Sequence, residues 1–291
     1  MIRRTVEPID LRHQATERVI GVYLLETDHG PALFDCGPTV CIPELERGLA
    51  ERGLALADLR HLLLSHIHLD HAGAAGVLVR RNPALRVHVS RIGARHLVDP
   101  RRLERSARRL YEAAFDDLWG ELAPVPERNV QPVGDRVVGL DAFPTPGHAS
   151  HHVAYLGGEG TLYAGDATGV RVVPALHVHP ASPPPDLNLE AWADSLDEIE
   201  RRTPVRLALT HFGVADDVDA HLAMTRERLQ VWAERVRSGM SQKEFVRVAL
   251  DELREHTEST DEWEKAGPLW QSHAGLKRYW DKRLESAAAS P

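Results

Sequence analysis

Apolar residues recur with two different periods along this 291-residue chain, and the switches between them outline its organisation. The runs at 19–26 and 32–34 are apolar and flank Asp28-His29-Gly30, which predicts a β-hairpin. A helical stripe follows over 42–52, opened near Pro43 and stopped at Gly53. Short apolar runs at 62–64 and 86–90 predict two buried strands. Between 100 and 122 the period becomes helical, with Leu103, Leu110, Phe115, Leu118 and Leu122 on one side. Strands are expected again at 136–140, 153–156, 161–163 and 206–209. A helix over 188–201 carries Leu189, Trp192, Leu196 and Ile199 as its apolar stripe. Residues 180–185 read Pro-Ala-Ser-Pro-Pro-Pro and predict an extended loop.

From about residue 215 the pattern is helical throughout. A helix over 216–237 breaks at Ser238-Gly239. Ser241 and Glu244 have capping-box spacing, and Pro268 suits the start of a last helix. The expectation is a mixed α/β body over 1–214, with a helical insert at about 91–122, followed by an α-helical segment over 215–291.

Composition narrows the function. A hydrophobic fraction of 43% and a charged fraction of 27% describe a folded globular chain. A net charge of −8 argues against a general nucleic-acid binder or a protein held on anionic membranes. That average hides a local excess: Arg91, Arg95, Arg101, Arg102, Arg105, Arg108 and Arg109 face only Asp99 and Glu104 in the segment 91–109. Such a patch suits an anionic substrate, or a solvated helix face paired with acidic neighbours. The first residues lack the apolar core of a secretory leader, and no apolar run approaches the length of a membrane span. A cytoplasmic location is therefore expected, which suits two unpaired cysteines, Cys36 and Cys41.

The 17 histidines change the picture most. Four metal-competent side chains crowd into Ser65-His66-Ile67-His68-Leu69-Asp70-His71 at the end of the 62–64 strand. They cannot all reach one ion from a straight strand, but a tight loop can divide them between two neighbouring ions. Nitrogen and carboxylate ligands of this kind suit zinc, manganese or iron. Three further pieces stand where a strand gives way to a loop: Thr145-Pro146-Gly147-His148, Tyr163-Ala164-Gly165-Asp166 and Leu209-Thr210-His211.

This ordered set, spread over residues 20–213, resembles the metallo-β-lactamase-fold hydrolase superfamily. The resemblance implies an αββα four-layer sandwich with the site at one edge, and here a C-terminal helical extension similar to that of glyoxalase II. It implies His66, His68 and His148 on a first divalent ion, Asp70, His71 and His211 on a second, and Asp166 bridging both. Two such cations generate hydroxide from water near neutral pH. Asp70 would aim that nucleophile at an ester-type bond in a thioester, lactone or phosphodiester. Persulfide dioxygenases, with one iron, contain the same motif and form an alternative; a nuclease of the same fold is another.

Around the ligands, His151, His152, His177 and His179 are candidates for substrate contact or support of the ligands. Tyr111, Phe115 and Trp119 share a helical face and suit either the core or a substrate wall. Trp232, Trp263, Trp270, Tyr279 and Trp280 must be covered by the body, by one another or by a second subunit in a homodimer. A small-molecule substrate, anionic if the arginine-rich segment serves it, is the expected partner.

Overall fold

The computed structural model describes residues 6–288; residues 1–5, part of the stretch read for a leader, lie outside them. The first half supplies β1 (Ile9–Asp10), β2 (Gly21–Thr27), β3 (Gly30–Phe34), β4 (His61–Leu63), β5 (Arg86–Val89) and β6 (Val130–Pro132). The second half supplies β7 (Arg136–Val137), β8 (Leu140–Pro144), β9 (Val153–Leu156), β10 (Thr161–Tyr163), β11 (Arg206–Leu209) and β12 (Gly213–Ala215). These strands form two six-stranded sheets, ordered β1-β2-β3-β4-β5-β6 and β12-β11-β10-β9-β8-β7. Pairings β3–β4, β4–β5, β5–β6 and β10–β11 are parallel, and the rest are antiparallel. Parallel neighbours need crossovers, and helices supply them.

Helices cover both outer faces. In chain order they are α1 (Ile42–Ala50), α2 (Leu69–Ala72), α3 (Ala75–Arg81), α4 (Arg91–Val98), α5 (Arg101–Tyr111), α6 (Phe115–Trp119), α7 (Leu189–Arg201), α8 (Val218–Arg237), α9 (Gln242–Arg254), α10 (Asp261–Ala266) and α11 (Leu269–Ala288). The period-2 alternation of the strands explains the layering. Ala32 and Phe34 of β3 point between the sheets, while Leu33 points out to the helices. In the same way Ala208 points inward, and Leu207 and Leu209 point to the other helical layer. The filling between the sheets is aromatic: Phe34 lies 5.4 Å from Tyr163 and 5.9 Å from Tyr155, ring centre to ring centre. Each fully buried ring contributes roughly 1.5–3 kcal/mol of apolar burial. The architecture is therefore the four-layer αββα sandwich with helices at its C-terminal end.

Capping chemistry fixes the helix starts. The Asn188 side chain accepts from the Ala191 N–H at 2.9 Å at the head of α7, and Ser241 Oγ accepts from the Glu244 N–H at 3.3 Å at the head of α9. Helices α8, α9 and α11 share one core with the outer face of the second sheet. Trp263 of α10 packs with the first sheet's outer layer. Trp232 and Trp263 are buried, Tyr279 nearly so, while Trp270 remains 38% exposed. Among the described residues, no helix is long and apolar enough to cross a membrane.

Two expectations need correction. The single strand over 136–140 is a hairpin. Val138 and Gly139 both take positive φ, 43° and 94°, which turns the chain between β7 and β8 within two residues. The β-branched residue at 138 conceals that turn. The helical period over 100–122 is two helices, α5 and α6, separated at Glu112 (φ 48°) and closed by Gly120 (φ 69°).

Candidate metal centre

The carboxyl ends of β3, β4, β8, β10 and β11 meet at one edge of the sandwich, and each delivers one piece of the site. β4 leads through Leu64 into Ser65-His66, both buried. The short α2 then turns the chain, so that His66 and His68 group with His148, Asp70 and His71 group with His211, and His66 and His71 both meet Asp166. His66 Nε2 lies 2.8 Å from His68 Nδ1, and His148 Nε2 lies 2.9 Å from that same atom. His71 Nε2 lies 3.6 Å from Asp70 Oδ2 and 3.3 Å from His211 Nε2, and His211 Nε2 lies 3.4 Å from Asp70 Oδ2. In each of the groups His66/His68/His148 and Asp70/His71/His211, ligand atoms lie within 4.8 Å of one another.

Asp166 stands between the two groups. Its Oδ2 is 3.4 Å from His148 Nε2, while its Oδ1 is 3.2 Å from His71 Nε2 and 3.5 Å from His211 Nε2. Oδ1 is buried with no hydrogen-bond partner. A carboxylate oxygen in that position requires a cation or a donor.

The outward nitrogens fix the inward ones. His148 Nδ1–H donates to the Ala181 carbonyl at 2.7 Å, and His211 Nδ1–H donates to the Val19 carbonyl at 2.6 Å. His71 Nδ1–H donates to Asp35 Oδ2 at 2.7 Å. Ser65 Oγ donates to Asp35 Oδ2 at 2.9 Å and lies 2.9 Å from His66 Nδ1, whose N–H it accepts. Each of these rings therefore turns Nε2 inward, the nitrogen a metal would take once it is free of its proton. The donor set fits two divalent ions: five imidazoles and two carboxylates, with one carboxylate shared.

Electrostatics agree. Burial and neighbouring imidazoles hold His66 and His68 well below the usual histidine range. Burial works against a charged His71, but Asp166, Asp70 and Asp35 outweigh it and hold its imidazole well above that range. His211 is raised in the same way, against burial, chiefly by Asp166 and Asp70. Asp166 is held well below the carboxylate range, since His71, His148 and His211 overcome its burial. Positive charge is thus favoured at the Asp70/His71/His211 group, where the carboxylates gather, and not at the His66/His68/His148 group.

Close packing keeps the loops in place. Gly165 has φ +51°, and a Cβ there would sit 2.5 Å from Ser65 Cβ and 2.7 Å from His152 Nε2. Gly147 has φ +142°, and a Cβ there would lie 2.3 Å from Trp192 Cβ. Neither position accepts a side chain without moving the ligand that follows it.

All seven residues expected as ligands, His66, His68, His148, Asp70, His71, His211 and Asp166, converge here. The four flanking histidines separate. His152 Nε2 accepts from the Asp166 N–H at 3.1 Å, and its Nδ1–H donates to Thr145 Oγ1 at 2.7 Å, so it anchors the Asp166 backbone. His151 lines the cavity over the ligands, its Nδ1 without a partner. His177 and His179 do not line that cavity. They are buried under the C-terminal helices, where the His179 ring lies 5.0 Å from Trp263 and 5.2 Å from Trp232. Tyr111 and Trp119 line the cavity, whereas Phe115 is core. Asp35 was overlooked by sequence reasoning, which read Asp35-Cys36-Gly37 for its cysteine. The available signal was a carboxylate directly after a strand, as at Asp166.

Residues 15–211 match the family model of the metallo-beta-lactamase superfamily. In structure the chain is similar to a metallo-beta-lactamase family protein from Thermus thermophilus, at 23% identity and TM-score 0.68 over 96% of this chain and 93% of that one. It is also similar to an archaeal superfamily protein from Sulfolobus tokodaii, at 18% identity and TM-score 0.61 over 95% and 96%. A third similar structure was solved in a di-iron-bound form, at 24% identity and TM-score 0.53 over 70% and 91%. The matched segment contains all seven converging candidate ligands, and the chain belongs to the metallo-beta-lactamase superfamily.

Proposed function

We propose that this protein is a metal-dependent hydrolase with a dinuclear centre that cleaves an ester-type bond in a thioester, lactone or phosphodiester. The observation that carries the reading is Asp166, which offers one oxygen to each ligand group. Two divalent ions held there would make water nucleophilic near neutral pH and stabilise the oxyanion that develops on a carbonyl or phosphoryl centre. Zinc is the favoured occupant, with manganese or iron as the alternatives; the similar protein solved with two irons supports double occupancy.

The chain's own residues do the rest. Asp70 is 21% exposed and lines the cavity, so it can accept a hydrogen bond from the attacking water and aim it. His152 anchors the Asp166 backbone. His151 is pushed down to about 4 by burial, so at neutral pH it offers a neutral imidazole to the substrate. Two buried, unlinked cysteines, Cys36 and Cys41, fit residence in a reducing cytoplasm.

The test is metal analysis of the purified protein, followed by assays against thioesters, lactones and phosphodiesters. Two ions per chain and hydrolysis of one class support the reading. One iron per chain with oxygen consumption would establish the dioxygenase alternative instead.

A further inference from the structure

The cavity over the ligands has a volume of about 920 Å³, within the range of small-molecule sites. Its walls carry cations that hydrolysis does not require. Helix α5 presents Arg102, Ser106 and Arg109 to it at i, i+4 and i+7, one face of the helix. Arg278 of α11 joins them from the segment that supplies the opposite wall.

The same helix divides its arginines. Arg101 pairs with Asp99 at 2.5 Å, and Arg108 pairs with Glu104 and Asp116, both at 2.9 Å, while lying 4.1 Å over the Phe115 ring. These two lie on the face turned away from the cavity, which also carries Arg105. Among the described residues, Arg102, Arg109 and Arg278 form no ion pair, although the chain as a whole has an excess of acid. Of the cavity's carboxylates, Asp70 and Asp166 belong to the metal centre, and Asp186 accepts from the Ser150 N–H at 2.9 Å. Glu264 stays protonated up to about 7. Beneath the arginines lies an aromatic wall, with Tyr111 and Trp119 rings 5.0 Å apart.

We propose that Arg102, Arg109 and Arg278 bind a multiply charged, phosphate-bearing tail of a small-molecule substrate, whose less polar part lies along Tyr111 and Trp119 with its scissile bond over the ligand groups. Guanidinium groups without an acidic partner that line one cavity suit phosphate, which they bind through paired N–H donors. The concave shape and the overall negative charge favour a small molecule over a nucleic acid. This inference rests on the hydrolase reading and deepens it.

The test compares acetyl-coenzyme A with the phosphate-free N-acetylcysteamine thioester, using the metal-loaded protein. Binding of desulfo-coenzyme A is measured separately by calorimetry. We expect kcat/KM to favour the phosphate-bearing thioester, and Arg102→Ala/Arg109→Ala to cut that preference by about 10- to 100-fold, mainly through KM. The double variant should weaken binding of desulfo-coenzyme A by a similar factor, with metal content unchanged. Arg101→Ala, paired outside the cavity, should change neither. Equal rates on the two thioesters, with the same affinity in wild type and double variant, would overturn the inference. So would salt-sensitive cleavage of oligonucleotides with no binding of the small phosphate compound. If neither thioester is cleaved, only the thioester branch of the hydrolase reading is lost, while the calorimetric comparison still decides whether the arginines bind the phosphate tail.

Discussion

Replacing Asp35 with asparagine exchanges one oxygen for an NH₂ at a position that is 0% exposed. Asp35 accepts four hydrogen bonds: from Ser65 N–H at 2.8 Å, Ser65 Oγ at 2.9 Å, His71 Nδ1–H at 2.7 Å and Thr210 Oγ1 at 3.1 Å. Oδ2 receives three of these, so asparagine places its NH₂ there or gives up the Ser65 N–H. The two hydroxyls can rotate and accept instead. His71 cannot do so without losing the proton on Nδ1, and the other neutral tautomer puts that proton on Nε2, which faces Asp70 and Asp166. That nitrogen can then no longer bind an ion. Loss of such a supporting partner typically weakens metal affinity by about 10- to 100-fold. This corresponds to roughly 1.4–2.8 kcal/mol. The fold should lose about 1.5–3 kcal/mol for one charge-assisted hydrogen bond, a fall in Tm of several degrees. The assay is a competition titration with a chelating indicator, with circular dichroism as the check on folding. We expect one ion, held by His66, His68 and His148, to bind nearly as in wild type, and the second to bind about 10- to 100-fold more weakly. A folded Asp35→Asn protein that binds both ions with wild-type affinity would refute the reasoning.

Three other perturbations probe different parts of the account. Gly165→Ala forces a side chain against Ser65 and His152, and should lower stability by about 1–3 kcal/mol and metal content with it; a variant of unchanged Tm and full metal content would show that the loop is not tight. Glu264, pushed up to about 7 by burial, holds its proton more tightly folded than unfolded, so this group lowers stability as pH rises from about 4.5 to 7. Glu264→Gln should therefore gain on the order of 1–2 kcal/mol at pH 8 after allowance for solvent screening, and little at pH 5, by denaturant unfolding; an equal gain at both would exclude titration as the cause. His179→Leu removes a buried imidazole whose two nitrogens have no partner, so metal content should be retained and activity should stay within about two-fold. A tenfold loss of activity would instead bring that pair into the reaction.

The sequence made the ligands legible because their signal is local. His66, His68, Asp70 and His71 fall within six residues, and His148, Asp166 and His211 each mark the end of an apolar strand. The layers were legible for a similar reason, since strands such as β3 and β11 sort alternate residues to opposite faces. The supporting contacts were less visible because they join residues far apart in the chain. Asp35 meets Thr210 across 175 positions, and His148 rests on the Ala181 carbonyl, which no side-chain pattern encodes. His177 and His179 looked equivalent to His151 and His152 on paper. The bridge between Val170 and His179 instead sets their rings under the C-terminal helices. The arginine-rich segment held two populations, and the faces of α5, not its composition, separate Arg102 and Arg109, which line the cavity, from Arg101, Arg105 and Arg108, which do not.

The central claim is that two divalent ions share Asp166. Elemental analysis of the purified protein, wild type beside Asp166→Ala, tests it most directly. About two ions per chain are expected in the wild type, and one or fewer, with activity lost, in a folded Asp166→Ala protein. A variant that kept both ions and full activity, or a wild type that held a single ion under saturating metal, would contradict it.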